Sequence, residues 1–420
     1  MEKGVITGID LSSDYAQISY MDDGKNIMSV PASSRLDPLL IPTVLFYDYA
    51  TESWSGGIEA QNRSVTKKGV LIEDVVRKIA GDGDVQAGET RISRVDIAAI
   101  YLSGLLDTAR SFCKCPIEKV VISIERADEE LARTLSAAMR ACGAKDDDFR
   151  IITHSESFIY YTLSQVTEIW VNRVLLIDLN DMRCSFKRLF ASKGRKPLVA
   201  DVFEGDISDF VNMKMLESEE GRRRADEALS DFLSNELSAG AVSAIYFTGS
   251  GFDENWCPRT LNCARGNRRV FKGRNLINKG AGYAAREMFV SETLSDYVFS
   301  CPGRIQTNVF ICAVVNGKEK LVKAASAGES RYLAGTHLEC IPDRTNELKL
   351  VVNNPVTHES RNLFVSLSSL PKRPNKATRI SIDIEFTDDT NFSVTVKDMG
   401  FGDFFEASDV VITENFSTRT

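Results

Sequence analysis

Two stretches of one pattern restrict this chain more than anything else in it. GIDLSSDYAQISY (Gly8–Tyr20) and VLLIDLNDMRCSFKRLF (Val174–Phe190) each climb through apolar residues to Ile-Asp-Leu, turn on a few polar residues and leave as an alternating run. Period-2 alternation with β-branched and aromatic residues predicts strands. Each stretch therefore predicts a hairpin with an aspartate, Asp10 or Asp178, near the tip of its first strand. Two carboxylates so placed, in two halves of one domain, admit two readings. In one they hold a hydrated magnesium ion across a cleft while turn N–H groups cradle phosphate. In the other they end strands and accept turn N–H bonds.

Around these hairpins the pattern is strand–helix–strand. DIAAIYLSGLLDTARSF predicts a helix with Asp96 at its N-cap and Ile97, Ile100, Tyr101, Leu105 and Phe112 along one stripe. ADEELARTLSAAMRACG predicts another, ended by Gly143 in the left-handed conformation. Beyond Tyr297 helical signals give way to hairpins such as NVFICAVVNGKEKLVKAAS and RISIDIEFTDDTNFSVTVKD. The fold class expected is thus an α/β domain over about the first 290 residues, then an all-β sandwich.

Composition narrows the function. The 420 residues, 43% hydrophobic and 26% charged, are globular in balance and sufficient for two or three cores. A net charge of -8 opposes nucleic-acid binding and adhesion to anionic membranes. No run reaches the ~20 apolar residues of a membrane span. MEKGVITGID enters a strand without a signal-peptide pattern, so a cytoplasmic location is expected. The 9 cysteines, Cys142 and Cys312 among them, read as reduced core residues. Cys113/Cys115 and Cys257/Cys263 could each supply half of a zinc site, but the 3 histidines supply no partner at metal spacing, so core residues are expected.

The pair of hairpins, with Thr248-Gly249-Ser250-Gly251 after a third strand, resembles the actin-like (ribonuclease H-like) ATPase superfold, and within it the DnaK-type heat-shock chaperones. The likeness runs nearly the whole chain. GIDLSSDYA is similar to the family's first phosphate loop, LLIDLNDMRCSF to its second, AIYFTGSGF to its adenosine loop and NKGAGYAA to its late helix. RIITHSESFIYYTLS lies where the family carries an Asn-Glu-Pro helix start, with Glu156 nearest that glutamate. LSDYVFSCPGRI stands at the interdomain linker, and NLFVSLSSLPKRPNKATRISIDIEF resembles the end of the peptide-binding sandwich. The resemblance implies an ATPase-type domain over 1–293, a linker over 294–300 and a β-sandwich without a helical lid over 301–420. It implies ATP or ADP with Mg²⁺ as cofactor, Asp10, Glu156 and Asp178 as catalytic residues, and Asp10 and Asp178 as metal carboxylates acting through water. Ser12, Ser13, Asn180, Gly249, Ser250 and Gly251 would then contact nucleotide, and Leu348, Leu350 and Val352 an extended peptide.

The departures from the family bear on activity. Ser12 and Ser13, followed by Asp14, replace the Gly-Thr of the first loop. Asn180, Asp181, Met182 and Arg183 replace three glycines and a threonine in the second, where close backbone approach favours glycine. Val76 falls at the family's lysine, with Lys78 two positions away. The segment between Phe190 and Thr248 is short. Residue by residue, Glu156 also fits a plain helix-start acid, and Leu348, Leu350 and Val352 also fit buried core. The expectation is a divergent DnaK-like protein that binds a polypeptide or protein partner with weak or absent ATP hydrolysis. An active Mg-ATP chaperone and a nucleotide-independent scaffold are the alternatives.

Overall fold

A computed structural model describes residues 4–32, 39–88, 90–180, 183–194, 196–332 and 334–418. The chain divides into two compact units, Met1–Lys193 with Ala200–Asp296, and Gly194–Val199 with Tyr297–Thr420. The first is mixed α/β and the second is β-rich. The division after Asp296 falls inside the 294–300 segment, which holds the strand Tyr297–Ser300.

The first unit contains one arrangement twice. In its first half β1 (Val5–Leu11), β2 (Tyr15–Met21) and β3 (Ile27–Ser29) form an antiparallel meander, and β4 (Ile117–Ile124) and β5 (Phe149–Thr153) add in parallel on the other side of β1. In its second half β6 (Arg173–Leu179), β7 (Cys184–Ala191) and β8 (Leu198–Asp206) form the meander, and β9 (Val242–Thr248) and β10 (Arg269–Lys272) add in parallel to β6. Each half thus has the strand order 3-2-1-4-5, counted along the chain. Strands buried on both faces read as near-continuous apolar runs, and β6 and β9 (RVLLIDL, VSAIYFT) are such runs.

Helices cover the outer faces. In the first half the short α1 (Val75–Ala80), α2 (Arg94–Cys113) and α3 (Glu129–Ala141) bury Val76, Leu102 and Leu135 against Ile9 and Leu11. The cap of α2 is Ser93, not Asp96: Ser93 Oγ accepts from the Asp96 N–H, and Asp96 is the third residue of the helix. A serine just before the first turn outcompetes an acid three residues in because its oxygen reaches that orphan N–H directly. Phe112 leaves the expected buried stripe and is exposed, its ring meeting that of Tyr20 edge-on with centroids 5.7 Å apart. Gly143 does end α3 with φ +89°. In the second half α5 (Glu219–Ser238) buries Leu229 and Leu233 against Phe186 and Phe247. Its basic run is solvated, with Arg223 paired to Glu227 one turn on at 2.9 Å.

Two further helices lie between the halves. The N-terminal residues of α4 (His154–Leu163) follow β5, and α6 (Leu276–Arg286) packs on both α4 and β1. Approach there is at backbone distance: a Cβ on Gly280 would meet Ser157 O at 2.2 Å, and one on Gly8 would meet Gly282 N at 2.3 Å. Ser157 bonds Ser123 of the first sheet, and Phe158 meets Tyr246 of the second edge-on.

The second unit has two four-stranded antiparallel sheets. One contains β11 (Asn308–Val315), β12 (Lys318–Ala325), β14 (Glu347–Asn353) and β15 (Ser360–Ser366), the other β13 (Gly335–Cys340), β16 (Ile380–Phe386), β17 (Asn391–Asp398) and β18 (Val411–Ser417). One core joins them, with Leu350 and Val352 from the first sheet and Ile382 and Val394 from the second. Leu348, Leu350 and Val352 belong to that core and are 6%, 0% and 3% exposed, so they do not line an open peptide groove. The alternation that marks the strand is the alternation of a core face.

Cysteine burial also differs from expectation. Cys184, Cys257 and Cys301 are buried, whereas Cys142, at the C-terminal end of α3, and Cys312, within the strand Asn308–Val315, are half-buried. Among the described residues no disulfide forms, and no group of three or more His, Cys, Asp or Glu could hold a metal ion. Burial and the neighbouring Cys115 push the Cys113 thiol up to about 11. No helix among the described residues is long and apolar enough to cross a membrane.

Candidate functional site

Because the two halves repeat one topology, Asp10 and Asp178 occupy the same place, the penultimate residue of the first strand of each sheet. The register sets their neighbours. Asp10 pairs with Gln17 of β2 and Ser123 of β4, and Asp178 with Ser185 of β7 and Thr248 of β9. The start of α4 completes the cluster with His154 and Ser155, both buried.

In this cluster the protein's own groups answer one another. His154 Nε2 lies 2.9 Å from Asp10 Oδ1, which also accepts from Ser12 Oγ at 3.2 Å. In the first loop the Ser12 N–H donates to Tyr15 O, and the Ser13 N–H and Oγ donate to the two oxygens of Glu125 at 3.2 and 3.0 Å. Glu125 directly follows β4 and puts a carboxylate where a cradled anion would sit. In the second loop the Asn180 N–H donates to Arg183 O, and Asn180 Oδ1 accepts from the Arg183 N–H. Asp181 and Met182 lie outside the described residues.

On the second sheet the register places Lys187 opposite Glu204 and two pairs along from Asp178, on the same face. Lys187 is 1% exposed, with its Nζ 3.4 Å from Glu204 Oε1. Arg183 donates to the same oxygen at 2.8 Å, and Ser155 Oγ donates to Glu204 Oε2 at 2.7 Å. Burial alone would raise Glu204, but Lys187, Ser155 and Arg183 together hold it below the ordinary carboxylate value. Asp178 is raised, first by burial and then by Glu125 and Asp10, with Lys187 and His154 pulling the other way. Burial works to lower His154, yet Asp10 and Glu125 outweigh it and the net shift is upward despite Lys187.

These shifts carry a sign. A histidine raised in the folded state holds its proton more tightly there than when unfolded, so its stabilisation is complete below the unfolded value and is lost as pH rises through the folded one. Asp178, also raised in the folded state, acts in the same direction. The urea midpoint of the first unit is therefore expected to fall as pH rises above about 6.5. His154→Gln should flatten that slope, as followed by tryptophan fluorescence; an unchanged slope would remove His154 from the account.

The remaining expected site residues have visible structural work. Glu156 forms a capping box, its Oε1 accepting from the Thr153 N–H at 3.1 Å while Thr153 Oγ1 accepts from the Glu156 N–H at 3.3 Å. Gly249 has φ +92°, and a Cβ there would meet Leu179 O at 2.1 Å and Asp178 Oδ1 at 2.7 Å. Gly251 packs on the Leu179 side chain, and the Ser250–Phe252 turn is pinned by the Trp256 indole N–H donating to Gly251 O. Val76 is buried in α1 and Lys78 is exposed on its other face.

The groups that would meet a magnesium nucleotide are engaged within the protein. Asp10 is engaged by a histidine, Ser13 by a carboxylate, and the second-sheet cations by Glu204. A phosphate oxygen with no cation between, brought to about 4 Å from one of these carboxylates, would be repelled by about 4 kcal/mol at an effective dielectric constant of about 20. Sequence reasoning passed over His154, Lys187, Glu204 and Glu125. Lys187 carried only a faint signal, sharing one face of the alternating run CSFKRLF with Ser185 and Leu189. A separate groove of about 960 Å³ runs along α2 past Trp54, Gly56, Ser103, Gly104 and Cys142, and shares no residue with the cluster.

The comparisons with known proteins follow the division into units. A model described as a domain of unknown function, DUF8552, matches residues 304–418. No curated protein matches the chain. The family of unknown function DUF5716, through the model of its C-terminal part, matches residues 27–302, more than half of the chain, and the chain belongs to that family.

Proposed function

We propose that this chain is a divergent DnaK-like protein, an actin-like frame joined to a β-sandwich, that binds a protein partner and has weak or absent ATP hydrolysis. Two features support the frame: the 3-2-1-4-5 sheet built twice, and aspartates at equivalent strand ends. The observation that carries the loss of hydrolysis is Glu125, whose carboxylate takes both donors of Ser13 in the first loop. Phosphoryl transfer needs positioned cations on the transferring group. Here Arg183 and Lys187 are committed to Glu204. A frame freed from nucleotide keeps its surfaces, and partner binding is what surfaces can still do.

Thermal unfolding with millimolar ATP or ADP plus Mg²⁺ tests this. A ligand that binds only the folded state, at a hundred times its Kd, stabilises it by about 2.7 kcal/mol. No shift is expected, in the wild type or in Asp10→Ala. A shift present in the wild type and lost in Asp10→Ala would establish a live nucleotide site and overturn the reading in favour of an active ATPase.

A further inference from the structure

The connection from β17 to β18, residues 399–410, reads MGFGDFFEASDV and is far longer than a hairpin needs. Its base is built with care. Asp398, 3% exposed, accepts two bonds from Arg373 at 2.7 Å each, one from the Gly400 N–H at 3.0 Å and one from the Ser408 N–H at 2.9 Å. Arg373 also donates to Glu406 O at 2.7 Å and lies over the Phe405 ring. The Phe401 N–H donates to Phe405 O at 2.7 Å and closes the tip. Gly400 has φ +67°, and a Cβ there would meet Phe405 O at 2.5 Å, so the base of the turn requires glycine.

What this base holds out is apolar. Phe404 is 89% exposed and Phe401 39%. Asp403, Glu406 and Asp409 stand exposed around them. Scattered surface apolar residues need no explanation; a phenylalanine held out by a loop that a buried ion pair fixes at both ends does. A rigid aromatic loses little freedom on binding, and aromatic anchors dominate interface energies when a pocket desolvates them.

We propose that the Phe401–Phe405 loop docks into a folded protein partner that offers an apolar pocket rimmed by lysine and arginine. The charge ring selects this occupant. Like charges juxtaposed across an interface cost affinity and slow encounter, which disfavours an anionic bilayer. It disfavours a second copy too, because the chain carries a net charge of -8. The proposal rests on the partner-binding reading for the existence of a partner, and on the loop alone for its place.

The test is photocrosslinking of the intact chain in the cells that make it, with p-benzoylphenylalanine in place of Phe404, or of Val65, an 85% exposed control in the first unit. The expected adduct forms from position 404 and maps to a folded protein's apolar segment flanked by Lys or Arg. Its yield should drop roughly tenfold or more when Asp403→Lys and Glu406→Lys are added. Lipid adducts, adducts to a second copy, no adduct at 404, or a yield indifferent to the charge reversal would each overturn the proposal. A protein captured from position 65 alone would sink the loop and leave the partner-binding reading standing.

Discussion

Lys187→Met is expected to destabilise the first unit by about 3–5 kcal/mol, the usual cost of removing one member of a buried charge pair. The lysine is enclosed at 1% exposure, and its ammonium is the cation directly opposite Glu204 across the β7–β8 pair. Methionine keeps the volume and removes the charge. Glu204 would retain Arg183 and Ser155, whereas Asp178 would lose a charge that now pulls its proton affinity down. Asp178→Asn in the Lys187→Met background should therefore recover part of the loss. The protein offers a clean readout, since its 3 tryptophans, Trp54, Trp170 and Trp256, all lie in the first unit. Urea unfolding followed by tryptophan fluorescence reports that unit by itself. A Lys187→Met midpoint equal to wild type would mean that the lysine is solvated and that the cluster is not an internal substitute for bound charge.

The second large effect belongs to the β-sandwich. Arg373→Leu should cost about 3–5 kcal/mol by the same argument, because it strands Asp398, whose side chain has no exposed surface. Burial would raise Asp398, but Arg373, Ser408 and the Gly400 N–H hold it far below the ordinary carboxylate range. A depressed carboxylate contributes stability that is present above its unfolded value and is lost as pH falls toward the folded one. Acid lability of the sandwich should therefore shrink in Asp398→Asn, which is itself less stable at neutral pH. Amide hydrogen exchange in β16 and β17 is the measurement, with tryptophan fluorescence as the control that should stay unchanged. Protection in β17 equal to wild type in Arg373→Leu would show that the pair is dispensable.

Much of this architecture was legible because it is written in periodicity. The runs VITGIDL and VLLIDL carry enough β-branched and aliphatic residues to specify buried strands, and their shared Ile-Asp-Leu announced the duplication that the two sheets display. The change near Tyr297 was visible because helical spacing gives way to alternation. The charge cluster was hidden for a physical reason. Asp10 and His154 are 144 positions apart and meet only because α4 begins between the two sheets. Lys187 and Glu204 meet only once the β7–β8 register is fixed, and register is a property of pairing rather than of either strand. Leu348, Leu350 and Val352 show the opposite limit: alternation identifies a face but not whether a second sheet covers it. Ser93 and Asp96 show a third, since both residues suit a cap and the geometry of the first turn decides between them.

The contact of α4 with α6 bears on how such a frame can move. Ser157 meets Gly280, and Gly8 meets Gly282, with no space for even a methyl group between the backbones. Sliding one element past another requires side chains that can ride over their neighbours and settle in a new notch, the shear mode of domain motion. At these two points there are no such side chains to ride, and a displacement along either axis would drive carbonyl and amide groups into one another. Further along the two helices Tyr161 and Tyr283 meet edge-on. Shear at these two points is closed off, and a bulkier residue at Gly280 would act as a wedge that parts α4 from α6.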